Sequence, residues 1–231
     1  MLSDGQREVL RATSWFNSMP ERLQKAFIDV VKLVSVDGGM KLYNKGDKGN
    51  GFHCVLSGKI KVSNINRNGK QVVLGFLSTG TWFGEISMFD GLGRTHDTHA
   101  EENSMLAFVS RSDFHRIMAK HPEAYEYFTQ LLCQRLRTTL NFIDSTASLS
   151  LKQQLVKRLI LISSNLGQRE SNGSLPAVTA SQEALAMMIN SSRQSVNRLL
   201  KELERDGLIQ NAYRHISLLD VEALKIFCEW E

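Results

Sequence analysis

Two clusters of side chains in this sequence have the types and spacing to do chemistry. The first lies within SQEALAMMINSSRQSVNRLLKELER, from Ser181 to Arg205. Here Arg193, Gln194, Asn197, Arg198 and Lys201 fall on one side of a 3.6-residue helix. Arginine bridges guanine O6 and N7, and glutamine or asparagine bridges adenine N6 and N7, so this is the donor set of a major-groove reader. From Asn190 to Lys201 there are three cations and no anion. The plainer alternative is a solvated helix face. The second cluster is Phe83-Gly84-Glu85-Ile86-Ser87-Met88 followed by Gly91-Leu92-Gly93-Arg94-Thr95. Glycine, exposed backbone amides and one guanidinium make a cradle for an anion such as phosphate, and a carboxylate beside it suits a ribose hydroxyl. On the residues alone, a turn with a salt bridge is the competing reading.

A groove reader needs two short helices at a tight turn, and the flanking sequence supplies them. Ala184, Leu185, Met188 and Ile189 form one apolar stripe, with Met187 and Met188 as packing residues. Asn190-Ser191 breaks it, and asparagine tolerates the left-handed backbone of a turn. Ser192 is placed to cap a second helix whose inward face is Val196, Leu199, Leu200 and Leu203. The segments Leu208–Gln210 and His215–Leu218 then read as a strand pair, the wing of a winged helix-turn-helix.

The cradle needs strands. From about residue 40 to 110 the period is two: Phe52, Cys54, Leu56, Ile60 and Val62 are apolar, and His53, Ser57, Lys59 and Lys61 are polar. This predicts a half-buried strand bent at Gly58, and Val72, Leu74 and Phe76 repeat the pattern after Asn68-Gly69. Frequent glycines between short strands suggest a small barrel or sandwich. Residues 1–37 read as helical through Trp15-Phe16 and then Leu23, Phe27, Val30, Val31 and Val34. Ser18 or Pro20 opens the second helix, and Gly38-Gly39 ends it. Later, Tyr125, Phe128, Leu132, Leu136, Thr139, Ile143 and Thr146 step by three and four, the seam of a dimer helix or of a helix buried within one chain. Leu151–Leu166 is a further amphipathic helix, and Gln168–Pro176 a loop.

Composition narrows the classes. The 231 residues are 42% apolar and 23% charged, which argues for a folded protein rather than disorder as the main state. No run approaches the ~18 apolar residues of a membrane span, and the first fifteen residues lack a signal-peptide core, so no membrane and a cytoplasmic location are expected. The net charge of +4 permits nucleic-acid binding without demonstrating it. Cys54, Cys133 and Cys228 are far apart and read as reduced, mostly buried thiols, with no disulfide framework and no local zinc or iron–sulfur spacing.

These motifs resemble the cyclic AMP receptor protein / fumarate–nitrate regulator (CRP/FNR) family of bacterial transcription factors over nearly the full chain. The likeness runs through Gly46-Asp47, Gly58-Lys59-Ile60-Lys61-Val62, Phe83-Gly84-Glu85, Arg94-Thr95, the long helix, and Ser192-Arg193-Gln194-Ser195-Val196-Asn197-Arg198 with Gly207-Leu208-Ile209 after it. The resemblance implies an α+β protein: an N-terminal β-roll (a cyclic-nucleotide-binding-like jelly roll) at 1–120, a dimerisation helix at 121–147 and a C-terminal winged helix-turn-helix at 148–231. It implies a homodimer on a pseudo-palindromic double-stranded DNA site, cyclic AMP as effector and RNA polymerase as protein partner; from the cysteine spacing, no metal or iron–sulfur cluster is expected. Carried over by position, Glu85 meets the ribose 2′-hydroxyl and Arg94 the cyclic phosphate. Gly84, Ile86 and Thr95 add contacts, and Thr139 reaches the adenine. Ser181, Ser192, Arg193, Gln194, Asn197, Arg198 and Lys201 are the expected DNA contacts.

The chain departs from the family pattern at several places. Leu140 stands where a hydroxyl residue is expected, Gly93 where proline is usual, and His96 replaces a small residue beside the phosphate pocket, with Asp97 next. An inward carboxylate there would oppose an anion, which keeps open a different effector or none. Gln194 takes the place of a frequent glutamate, so an adenine preference replaces a cytosine one at that position. His96 and His99 lack a third metal ligand, and the N-terminal cysteine cluster of iron–sulfur members is missing. An enzyme is the competing class, but no nucleophile–base set, Walker loop or zinc-protease motif occurs. A nucleotide module of a kinase or channel would need domains this sequence lacks.

Overall fold

A computed structural model describes residues 2–11, 13–65, 67, 69, 71–163, 176–212 and 215–228, with the side chains at 142 and 145–148 outside that set. The chain divides into two compact units, residues 1–64 with 74–134, and residues 65–73 with 135–231.

Three short helices open the first unit: α1 (Asp4–Arg11), α2 (Ser14–Asn17) and α3 (Glu21–Ile28). Pro20 occupies the N-cap position of α3, as the sequence suggests. The predicted helix to residue 37 is not formed. The chain turns after Ile28, and Lys32–Val36 is instead strand β1. Val30, Val31, Val34 and Val36 are β-branched and lose rotamer freedom in a helix, and β1 finds a partner strand across Lys32↔Phe108 to Val36↔Ser104. Gly39, at φ +83°, then belongs to the turn leading out of β1 rather than to a helix end.

The roll follows as β2 (Lys41–Tyr43), β3 (Gly51–Ser57), β4 (Lys59–Ile65), β5 (Gln71–Ser78), β6 (Trp82–Phe83), helix α4 (Ile86–Asp90), β7 (Asp97–Ala100) and β8 (Ser104–Ser110). Two four-stranded sheets result, ordered β1-β8-β3-β6 and β2-β7-β4-β5. Gly58 bends the chain between β3 and β4 at φ +85°. Strand β3 is not half-buried as its alternation suggests. Phe52, Cys54 and Leu56 pack into the helical core, and His53 and Val55 are buried on the opposite, inner face. Polarity misleads at His53 because both faces of β3 are covered. On β5, Val73, Phe76 and Leu77 are buried, whereas Val72 and Leu74, expected inside, are exposed. The buried face there runs through Val73, Gly75 and Leu77, and Gly75 offers no side chain to reveal it.

Helix α5 (Arg111–Lys120) is capped by Ser110, whose hydroxyl accepts from the Asp113 amide. Helix α6 (Ala124–Ser148) follows. Phe128 and Leu131 join the first unit's core of Phe16, Phe27, Phe52, Trp82 and Phe114, and Trp15 Nε1 donates to the Tyr127 carbonyl at 2.6 Å. The core rings meet mostly edge-on, with Phe52 and Phe16 stacked on Trp82 at 5.0 and 4.9 Å. Further along α6, Leu136, Leu140 and Ile143 are 59%, 51% and 55% exposed. The two readings of the seam therefore apply to different turns: Phe128 is internal core, and the later apolar positions are uncovered in one chain. The side chain of Thr146 lies outside the described residues.

The second unit continues with α7 (Leu151–Ser163), β9 (Ala177–Val178), α8 (Gln182–Met188), α9 (Arg193–Arg205), β10 (Ile209–Ala212), β11 (His215–Leu218) and α10 (Val221–Phe227). Its core joins Leu155, Val156 and Leu159 to Leu185, Val196, Leu200, Leu203, Ile209, Leu218 and Leu224. The expected strand pair is present and gains a third strand, in the order β10-β11-β9. Neither β9 nor α10 is anticipated from the sequence, and the loop expected at 168–176 lies outside the described residues except Pro176. Among the described residues no helix is long and apolar enough to cross a membrane.

Candidate functional site

The reader pair is built by local chemistry. Ser181 caps α8, its hydroxyl accepting from the Ala184 amide at 3.1 Å. Ala184, Leu185, Met188 and Ile189 are all buried, and Met187 is half-buried. The chain reverses at Asn190, the one non-glycine with positive φ among the described residues, at +48°. Ser192 restarts the helix, accepting from the Ser195 amide at 3.1 Å. The amphipathic sequence then buries Val196, Leu199, Leu200 and Leu203 and leaves Arg193, Gln194, Arg198 and Lys201 exposed. Asn197 is half-buried, and its Nδ2 donates to Gln182 Oε1 at 3.1 Å across the two helices. Arg198 leans toward Glu202 at 3.3 Å. Gln182, Arg193, Gln194, Asn197, Arg198 and Lys201 line one open depression. Of the seven expected DNA contacts, Ser181 and Ser192 have their hydroxyls engaged as caps, and the other five share this face.

The second cluster folds into a closed cradle in the first unit. Gly84 has φ +94°, and a Cβ there would lie 2.7 Å from Arg94 Nη1, so only glycine fits. Glu85 is fully buried at the N-terminal boundary of α4, and Ile86 is 40% exposed. Arg94 is only 3% exposed. Its Nη1 donates to the Gly84 carbonyl at 2.9 Å, and its Nη2 donates to the Gly51 carbonyl at 2.7 Å and Asn50 Oδ1 at 3.1 Å. The guanidinium carbon lies 4.3 Å over the Tyr43 ring. Burial lowers its pKa, and the Tyr43 and Glu85 side chains oppose that shift. The backbone is zipped alongside: Gly46 N–H donates to the Arg94 carbonyl, Arg94 N–H donates to the Asp47 carbonyl, both at 2.8 Å, and Lys48 bridges Gly93. A Cβ on Gly93 would meet the Gly46 carbonyl oxygen at 2.6 Å, which accounts for glycine where proline is usual.

The rim differs from expectation. Asp97 does not point at the cradle: its Oδ1 accepts from the Lys45 amide at 2.7 Å. Thr95 is exposed, its Oγ1 3.0 Å from His96 Nδ1. Desolvation, with Lys45 nearby, lowers the His96 pKa. Thr139, in the second unit, donates its hydroxyl to the Arg135 carbonyl at 2.9 Å. His96 precedes β7, and the spacing of three puts it and His99 on opposite sides of the chain. Among the described residues no group of three or more His, Cys, Asp or Glu assembles to hold a metal ion. All three cysteines are free, and Cys133 is exposed rather than buried. Sequence reasoning missed Tyr43 and Asn50 beside Arg94, the buried His53 that its charge reaches, and Thr98 opposite Tyr43 on β7. His53, a polar residue in an apolar run, is the one whose signal was visible.

Comparisons with known proteins follow the same division. Residues 33–121 match the cyclic nucleotide-binding domain family, and residues 153–227 match the Crp-like helix-turn-helix domain. Together they span well over half of the chain and define a DNA-binding transcription regulator, not an enzyme. The chain belongs to the CRP/FNR family. It is 23% identical over 217 residues to the CRP-like cAMP-activated global transcriptional regulator of Mycobacterium tuberculosis, covering 94% of this chain and 97% of that protein. A CRP/FNR-family transcriptional regulator of Thermus thermophilus is 26% identical with a TM-score of 0.64, over 86% of this chain and 98% of that one. The c-di-GMP responsive global regulator of Xanthomonas campestris is 20% identical with a TM-score of 0.66, over 87% of this chain and 100% of that one.

Proposed function

We propose that the chain acts in the bacterial cytoplasm as a homodimeric, sequence-specific regulator whose DNA binding is controlled by cyclic AMP in the β-roll. The functional division is the roll at 1–120, a dimerisation helix at 121–147 and the reader at 148–231. The observation that carries this reading is the pairing of an enclosed guanidinium cradle with an exposed, anion-poor reader face. In the roll, Arg94 receives the cyclic phosphate beside Gly84, Ile86 and Thr95, and Glu85 receives the ribose hydroxyl. The exposed Leu136, Leu140 and Ile143 supply the seam between two copies of α6. Two-fold symmetry then matches two half-sites about one helical turn apart, ~34–36 Å. At each half-site Arg193, Gln194, Asn197, Arg198 and Lys201 face bases and phosphates. Effector binding shifts the population toward the dimer arrangement in which both α9 helices fit successive major grooves, which requires tighter effector binding to that state. RNA polymerase is the protein partner.

A second reading keeps the DNA reader and changes the effector. Leu140 offers no hydroxyl, and the Thr139 hydroxyl is already bonded within its helix. The base-recognising end is therefore less suited to adenine than the anion end is to phosphate. Anisotropy titration of a labelled operator, with and without cyclic AMP, separates the two. Cyclic AMP that tightens wild-type binding but not that of Arg94→Ala supports the first reading. An unchanged curve with wild type rejects cyclic AMP and leaves the second.

A further inference from the structure

The roll buries polar atoms that the anion cradle does not use. His53 on β3 is 3% exposed, and its Nδ1 has no hydrogen-bond partner. Thr98 on β7 is 1% exposed with its Oγ1 equally unpartnered, and so is Arg94 Nε. Strand register brings them together. Phe83 and Phe108 stand directly opposite His53 on β6 and β8, so the three share one face. Their rings confirm it: His53 stacks on Phe83 at 5.2 Å and lies 5.0 Å from Phe108. In the other sheet Tyr43, Thr98 and Val62 are opposite one another across β2, β7 and β4. Tyr43 joins the two rows, with its ring centre 6.1 Å from that of His53 and 4.3 Å from the Arg94 guanidinium carbon.

Unpaired buried polar atoms are costly, and three in one interior point to a group that arrives from outside the chain. An inorganic anion would satisfy the guanidinium and leave His53 and Thr98 as they are. We propose that His53 and Thr98 form a specificity subsite beside the anion seat. The effector is an organic anion whose charged group meets Arg94 and whose uncharged hydrogen-bonding part meets His53 Nδ1 and Thr98 Oγ1. This rests on the reading of the roll as a nucleotide site and adds the residues that select among anions. Burial and the Arg94 charge hold the imidazole neutral, with a pKa of about 3. It therefore discriminates by hydrogen bonding and adds no charge of its own.

The test uses the full chain and two readouts. In calorimetric titrations with cyclic AMP, Arg94→Ala removes binding, His53→Phe and Thr98→Val each weaken it at least ten-fold, and His53→Gln recovers part of the loss. In protein labelled with ¹⁵N-histidine, saturation with cyclic AMP moves the His53 Nδ1 resonance by more than 10 ppm, and saturation with inorganic phosphate does not. The resonance needs no variant, so a poorly folding His53→Phe leaves the test intact. Wild-type affinity in His53→Phe, or an unmoved Nδ1 in the saturated protein, overturns the subsite and leaves the anion seat standing. No binding of cyclic AMP by the wild type overturns the subsite together with the cyclic AMP reading on which it rests.

Discussion

On helix α9, Arg193, Gln194, Arg198 and Lys201 stand in solvent, whereas Arg94 in the roll is almost fully enclosed and bonded to carbonyls of its own chain. On the proposed function, the difference follows from the partners. A DNA duplex is large and approaches from outside, so the reader keeps its donors hydrated until base edges and phosphates replace water. A small effector is surrounded by the site. Its cationic seat must exist before the ligand comes, and a buried cation is tolerated only when neighbouring oxygens and an aromatic face already compensate it. One region thus presents its chemistry on a surface, and the other builds it into the packing.

That contrast can be broken from either side, beginning with the largest effect. Leu200→Ala empties a fully buried position of the reader and should cost about 2–5 kcal/mol of that unit's stability. Hydrogen exchange should show protection lost across α8 and α9 and retained in β3. The roll should be the acid-sensitive unit. Burial, with the Arg94 charge, holds the His53 pKa at about 3 in the folded chain, below the ordinary imidazole value of 6.5. As pH falls below 6.5 the unfolded chain takes up a proton the folded chain refuses, so stability present at neutral pH is lost towards about pH 3. Between pH 7 and pH 5 this amounts to about 2 kcal/mol. Urea titrations should show His53→Gln losing that increment, while the lowered His96 and His99 leave a smaller slope of the same sign.

Arg198→Ala should weaken specific binding by about 1–3 kcal/mol while most salt-dependent binding to random DNA persists. Equal losses on both, measured by anisotropy over a salt series, would make Arg198 a phosphate contact only. Ser192→Ala removes a cap and should lower the reader's stability by about 1 kcal/mol, read as a small shift in its thermal transition.

Most of the reader was legible in the sequence, because each of its features is local. The Ser192 cap, the left-handed Asn190 and the buried stripe of Val196, Leu199, Leu200 and Leu203 all depend on neighbours within a few residues. The roll was legible in outline only. Gly84 and Arg94 sit ten residues apart, but the carbonyl of Gly51 and the ring of Tyr43 reach Arg94 from more than forty residues away. Alternation along β3 marked His53 as outward, and only the pairing of two sheets shows that its face is enclosed. Asp97 reads as a rim residue from proximity in the chain alone, and its bond to the Lys45 amide depends on the loop that packs beside it.

The central claim, a symmetric reader of double-stranded DNA, is tested most directly by selecting binding sites from a random duplex library with the purified full chain. Recovered sites are expected to be inverted repeats, with half-site centres about one helical turn apart. An adenine is expected at the position where Gln194→Glu changes the preference to cytosine. Sites without two-fold symmetry, or a consensus unmoved by that substitution, would contradict it.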